Sequence, residues 1–246
     1  RSLPEADKVT VNDEAAIKAA KDAYDALTED QKKLISDETL KKLTDAQTAL
    51  ETVKTTPAPK GEPIDVKDAA DKSEYKVTSS DKSNPTVEFE KTTDKNATKV
   101  TIPATVTDKN GITYEVTKIA DNALKGNKKV TTVTVGANIT EIGKNAFSGC
   151  TKLSKLTMGK NVKVIGNSAF EGCSSLTSVT IESKVTKIGK KAYYKCGSLK
   201  SINVKSTKLS SVGSDAFKKI NKKYKIKVPK KYIDKYQKLM KGKLGA

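Results

Sequence analysis

Ile142-Gly143-Lys144-Asn145-Ala146-Phe147-Ser148-Gly149-Cys150-Thr151-Lys152-Leu153 returns twice in register, as Ile165 to Leu176 and as Ile188 to Leu199, at a spacing of 23 residues. Its first position extends upstream to Ile119 and downstream to Val212, one residue late. Four residues beyond each stands an alanine: Ala123, Ala146, Ala169, Ala192 and Ala216. A large apolar or aromatic residue follows at Leu124, Phe147, Phe170, Tyr193 and Phe217. A fixed period of this length predicts stacked supersecondary units, none able to bury its apolar face alone. Such a chain offers a surface for contact rather than a pocket for chemistry.

Working outward, the repeats proper span 116–229. Strand columns read Val133, Leu156, Val179, Ile202, Ile226 and, two residues on, Val135, Met158, Ile181, Val204, Val228. A third column is Ile139, Val162, Val185 and Leu209. Two short extended segments per repeat, joined through a small helical turn such as Asn145-Ala146-Phe147-Ser148, make one coil of a solenoid. Residues 64–115 are β-branched and alternating at Glu74–Thr78, Thr86–Glu90 and Lys99–Ala104. Asp108-Lys109-Asn110-Gly111 predicts a hairpin with a type I′ turn. Val100-x-Ile102-Pro103 matches the later repeat strands, so this stretch is expected to be an atypical first repeat that seals one end. In 230–246, Tyr232, Ile233, Tyr236, Leu239 and Met240 fall on one helical face and predict a capping helix at the other end, where an open edge would invite aggregation.

Residues 1–53 read as a small helical module. Val11-Asn12-Asp13-Glu14 starts a helix whose Ala16, Ile17, Ala20, Tyr24 and Leu27 share a face. Thr28-Glu29-Asp30-Gln31 has capping-box spacing and opens a short helix ending near Ile35. Ser36 caps a third helix with Leu40, Leu43, Leu50 and Val53 in a stripe. The prolines Pro57, Pro59 and Pro63 within 54–63 mark a stiff linker. The fold class is therefore α+β: a helical module, a linker, and a solenoid with an N-terminal β cap and a C-terminal helical cap.

Net charge is +18 over 246 residues, and it is unevenly placed. Residues 1–53 hold 8 basic and 12 acidic groups, while 54–246 hold 39 and 17. Nearly all the positive charge is lysine, since Arg1 is the only arginine. Sequence-specific nucleic-acid reading leans on arginine forks and on stacking aromatics outside a core, so no nucleic-acid partner is expected. Anionic polymers that accept point-charge contacts fit better. There is no histidine, which removes Ser-His-Asp, Cys-His and His-zinc arrangements. There is no tryptophan, the residue best suited to stacking on sugar rings. No run of 18 or more apolar residues exists, so no transmembrane helix is predicted. A chain starting at Arg1 reads as a processed or trimmed segment; no signal peptide is visible, and removal of one would leave no trace.

The Ile-Gly, Ala-Phe and Gly-Cys pairs, followed by Leu-x-x-Ile-x-Ile-Pro spacing, closely resemble the BspA-type leucine-rich repeat over about residues 64–246. This chain departs with Tyr193-Tyr194 for the aromatic, Lys195 before Cys196, and Ile220 in the last cysteine column. The resemblance implies a secreted or surface-displayed bacterial protein that adheres to host matrix, mucosal proteins or glycans, or other microbes. Ala23 to Lys32 is similar to helical modules repeated in Gram-positive surface proteins, where the implied role is that of a spacer. Neither family carries a catalytic motif, so the resemblance implies no active site, cofactor or metal.

Two candidate contact surfaces follow. Thr101, Thr134, Thr157, Thr180 and Asn203 form a polar column on an open sheet face, suited to a glycan or extended peptide; threonine also simply suits exposed strand positions. Lys218, Lys219, Lys222, Lys223, Lys225, Lys227, Lys230 and Lys231 crowd the C-terminal end, where 217–246 hold 12 lysines and one aspartate. That patch is expected either to hold bacterial cell-wall polymers by summed electrostatics or to keep a sticky solenoid end soluble. Cys150, Cys173 and Cys196 share one repeat column, unlike zinc pairs, and are expected to stay reduced and buried. Ser168 lacks the closing glycine of a nucleophile elbow.

Overall fold

A computed structural model describes residues 3–68 and 70–245. Arg1, Ser2 and Ala246, at the outer ends of the expected module and cap, lie outside the described residues. After single 3-10 turns at Ala6–Lys8 and Val11–Asp13, the module has helices α1 (Glu14–Asp25), α2 (Glu29–Lys32) and α3 (Asp37–Thr55). The predicted capping box forms at Thr28: its hydroxyl accepts the Gln31 N–H at 3.3 Å, and Gln31 Oε1 accepts the Thr28 N–H at 2.9 Å. Ser36 caps α3 by accepting the Thr39 N–H. Of the face predicted for α1, only Ile17 is buried. It meets Val9, Ala46 and Leu50 in a small apolar cluster separate from the main core.

The proline-rich stretch lies against the β cap. Strand β1 (Ser73–Ser79) pairs antiparallel with β2 (Thr86–Thr92). Gly61 donates its N–H to the Val77 carbonyl at 2.9 Å, and Val77 returns one to Glu62 at 2.8 Å. Ala58 N–H donates to the Tyr114 hydroxyl at 2.8 Å, while Ser80 donates to the Ala58 carbonyl. Pro57 is buried, and Ile64 joins the main core. Prolines cannot donate, but the residues between them can, and those are the ones that pair.

Next come β3 (Lys99–Ile102), β4 (Thr105–Thr107) and β5 (Thr113–Ile119). β4 and β5 form the predicted hairpin, but its turn is not type I′. Gly111 has φ +87°, whereas Asn110 is not left-handed, and a type I′ turn needs both. Instead Asp108 spans the loop: its N–H donates to the Ile112 carbonyl and its carboxylate accepts the Ile112 N–H, each at 2.9 Å.

The solenoid adds β6 (Thr132–Val135), β7 (Glu141–Ile142), β8 (Lys155–Thr157), β9 (Val164–Ile165), β10 (Ser178–Ile181), β11 (Lys187–Ile188), β12 (Ser201–Val204), β13 (Ser211–Val212), β14 (Phe217–Lys218) and β15 (Lys225–Lys227). One face is a continuous parallel ladder from β5 through β7, β9, β11 and β13, registered Ile119, Ile142, Ile165, Ile188, Val212. That register is the column that revealed the period. The other strand face consists of two ladders, β3-β6-β8 and β10-β12-β15.

The predicted turns are also a third hydrogen-bonded side. Alternate residues bond locally and between coils. Asn145, Phe147 and Gly149 donate to Asn167, Ala169 and Glu171 of the next coil at 2.6–2.9 Å, while Ser148 and Cys150 donate three residues back. This alternation needs left-handed backbone, found at Asn122, Asn145, Ser168, Lys191 and Asp215 in one column. It also brings coils very close at the Ile-Gly step. A Cβ on Gly166 would lie 2.7 Å from the backbone of Gly143. Inside, Phe147, Phe170, Tyr193 and Phe217 stack in a column with centroids 5.0–5.1 Å apart and planes within 8°. All four rings are fully buried, each contributing about 1.5–3 kcal/mol of apolar transfer.

The far end closes with α4 (Ile233–Met240), which buries Tyr236 and Met240, and with β16 (Leu244–Gly245). β16 pairs in parallel with β14, and Phe217 donates to the Lys243 carbonyl at 2.9 Å. Residues 243–245 thus supply the rung that a further coil would have given.

Candidate functional site

The thiols lie inside. Cys150, Cys173 and Cys196 are free thiols, each fully buried. Each donates to a carbonyl one coil earlier: to Leu124 at 3.0 Å, Phe147 at 3.2 Å and Phe170 at 3.1 Å. Burial pushes Cys150 up to about 11 and Cys196 up to about 12, with Cys173 raised for the same reason. A thiol held protonated and enclosed is a packing group, not a nucleophile. Ser168 occupies a left-handed turn position, as its repeat place requires.

The five polar strand residues fall on two ladders. Thr101, Thr134 and Thr157 are register partners across β3, β6 and β8. Thr180 and Asn203 are partners across β10 and β12. Their neighbours in sequence (Val133 and Val135, Val179 and Ile181, Ile202 and Val204) point into the core, so period-two alternation turns these five outward.

The second ladder continues into the lysine-rich end. Asn203 registers with Lys227 and Ser201 with Lys225. A hydroxyl, an amide and an ammonium therefore follow one another at Thr180, Asn203 and Lys227, roughly 4.8 Å apart by strand spacing. Two surfaces that were separate in the sequence meet here. Lys218, Lys219, Lys222, Lys223, Lys225, Lys227, Lys230 and Lys231 are all exposed. Lys218 pairs with Asp215 at 3.0 Å. Between β15 and α4 lies a largely apolar cleft of about 700 Å³ walled by Ile226, Val228, Ile233, Tyr236, Met240 and Leu244.

Tyr194, Lys191 and Lys195 join Lys219 in a further cluster on the turn side. Its signal in the sequence is the column Gly126, Gly149, Gly172, Lys195, Lys219, in which glycine gives way to lysine.

Residues 117–238 match the BspA type leucine rich repeat region in six copies. They are a BspA-type leucine-rich repeat region. A leucine-rich repeat protein of Bacteroides ovatus is 28% identical, with a TM-score of 0.57 over 66% of this chain and 41% of that one. The leucine-rich repeat protein of T. pallidum shares the fold at 24% identity and a TM-score of 0.55, over 66% of this chain and 71% of that one. The pneumococcal vaccine antigen PcpA shares it at 22% and 0.57, over 69% of this chain and 46% of its own. The chain therefore spans less than half of the B. ovatus and pneumococcal structures. No curated protein matches significantly. Among the described residues, no helix is long and apolar enough to cross a membrane.

Proposed function

We propose that this chain is a non-enzymatic, secreted or cell-surface bacterial interaction protein that binds an extended ligand along its open strand face. The register of Thr180, Asn203 and Lys227 carries the reading. It sets hydroxyl, amide and cation in line on the outer strand face, with Thr180 and Asn203 half-buried and Lys227 exposed, which suits a glycan or extended peptide carrying negative charge. The repeat family adds support, because solenoids build such extended surfaces. The buried, protonated thiols and the lack of histidine favour contact over chemistry.

Retention on cell-wall polymer is a second reading, favoured by the exposure of the eight lysines at this end. Binding to host matrix proteins, mucosal glycans and isolated cell wall at low and high salt separates the two. Contact through the strand face survives salt in part, because hydrogen bonds carry some of it. Retention by lysines alone does not.

A further inference from the structure

We propose that Lys191, Lys195 and Lys219, gathered around Tyr194, form a binding site for a sulfate ester borne on a saccharide. The site lies on the turn side of the solenoid. It stands whether or not the strand face holds a ligand.

Three ammonium groups converge on one ring. The Nζ atoms of Lys191, Lys195 and Lys219 lie 5.2, 5.6 and 5.7 Å from the Tyr194 centroid. Lys195 and Lys219 occupy one column on successive coils, locked by the hydrogen bond from the Lys195 N–H to the Lys218 carbonyl at 3.1 Å. Among the described residues, no carboxylate comes within ion-pair distance of the three. Asp215, close in sequence, is taken by Lys218 at 3.0 Å, and Glu171, one coil earlier in Tyr194's column, forms no ion pair. Gathering like charges is unfavourable, and the electron-rich face of the tyrosine offsets only part of that.

The backbone adds an independent observation. Lys195 and Lys219 have φ of 59° and 55°, whereas the 55° of Lys191 is the conformation that its whole column takes. In the Lys195 column the three preceding coils use Gly126, Gly149 and Gly172 at φ 72–75°. Glycine takes that conformation freely and lysine does not. So the last two coils accept backbone strain and charge repulsion at one place, and what both produce is an uncompensated triad of cations. Strain retained against an available glycine points to function.

The donors define the ligand class. Each ammonium is a point charge with rotatable donors and no preference for a planar fork. Three of them around one ring suit a group with three terminal oxygens, which a sulfate ester shares with a phosphate monoester and a carboxylate or phosphodiester lacks. Exposure of Lys195 and Lys219 leaves the site open to a group carried on a long polymer.

The test uses the full chain and a fully sulfated heparin octasaccharide, its desulfated counterpart and a glycerol-phosphate polymer at 0.15 M salt. Lys195→Gly with Lys219→Gly restores the residue that the backbone favours. This variant should lose about tenfold in affinity for the sulfated fragment while its thermal midpoint holds or rises. Lys82→Gln with Lys95→Gln removes the same charge from exposed cap positions and should change affinity less than about twofold. The desulfated fragment should not bind, and the phosphodiester polymer should bind more weakly. Equal losses in the two variants, binding that ignores sulfation, preference for the phosphodiester, or no binding by the parent chain would each overturn the proposal. Should the glycine variant fail to fold, Lys191→Gln with Lys195→Gln carries the same test, and unchanged affinity overturns it.

Discussion

Phe170 and Tyr193 lie face to face one coil apart, 5.1 Å between centroids and 5° between planes. The tyrosine adds a hydroxyl to a column whose other rings are phenylalanine. That hydroxyl is buried without a hydrogen-bond partner.

An unpaired buried hydroxyl is destabilising, and the neighbouring coils already accommodate phenylalanine here. Tyr193→Phe should therefore stabilise the solenoid by roughly 1 kcal/mol. Urea denaturation measures it as a higher midpoint at unchanged slope; a lower midpoint would mean that the hydroxyl has a partner.

The thiols give a pH dependence. Burial lifts Cys150 to about 11 and Cys196 to about 12, above the roughly 8.5 of an unfolded thiol. A group raised in the folded state contributes fully below its unfolded value and loses that contribution as pH rises through the folded one. Stability should accordingly decline between about pH 9 and 12, and less steeply in a variant with alanine at Cys150, Cys173 and Cys196. Alkylation of unfolded, unreduced protein should label all three thiols; a single labelled thiol would reveal a disulfide.

Gly166 and Gly197 should answer alanine very differently. At Gly166 the new methyl would meet Gly143 backbone at 2.7 Å, while at Gly197 nothing lies within 4 Å. Gly166→Ala should cost about 1–3 kcal/mol, as overpacking does, and Gly197→Ala close to nothing. Thermal unfolding of both variants settles it, and equal effects would contradict the close coil approach.

The parts legible in the sequence were those governed by local spacing. Ile119, Ile142, Ile165, Ile188 and Val212 are simultaneously a period, a core column and a strand register. Thr28 and Gln31 announced their capping box because both partners sit within one turn. What stayed hidden depends on groups distant along the chain. The Ala-Phe segments read as turns, but nothing local shows that Phe147 donates to Ala169 of the next coil. Likewise, Asn-Gly at 110–111 suggested a type I′ turn, and the Asp108 side chain stabilised another. The meeting of Asn203 with Lys227, by contrast, was legible, because the columns Ile202–Ile226 and Val204–Val228 flank it.

Brief digestion with a low-specificity protease tests the module boundary. α3 ends at Thr55 and pairing with the cap begins by Pro57–Ala58. Cutting should fall within 54–56 and leave a resistant fragment that starts near Pro57. First cuts inside the repeats would contradict separate folding of the module and the solenoid.

The most direct measurement is the affinity of the parent chain and of Thr180→Ala with Asn203→Ala for host matrix proteins, mucosal glycans and isolated cell wall, at 0.05 and 0.5 M salt. A ligand held along the strand face should bind saturably, retain part of its affinity at high salt, and lose about tenfold or more in the variant, roughly one bidentate polar contact's worth. Affinity that vanishes at high salt and is unchanged in the variant would contradict strand-face recognition.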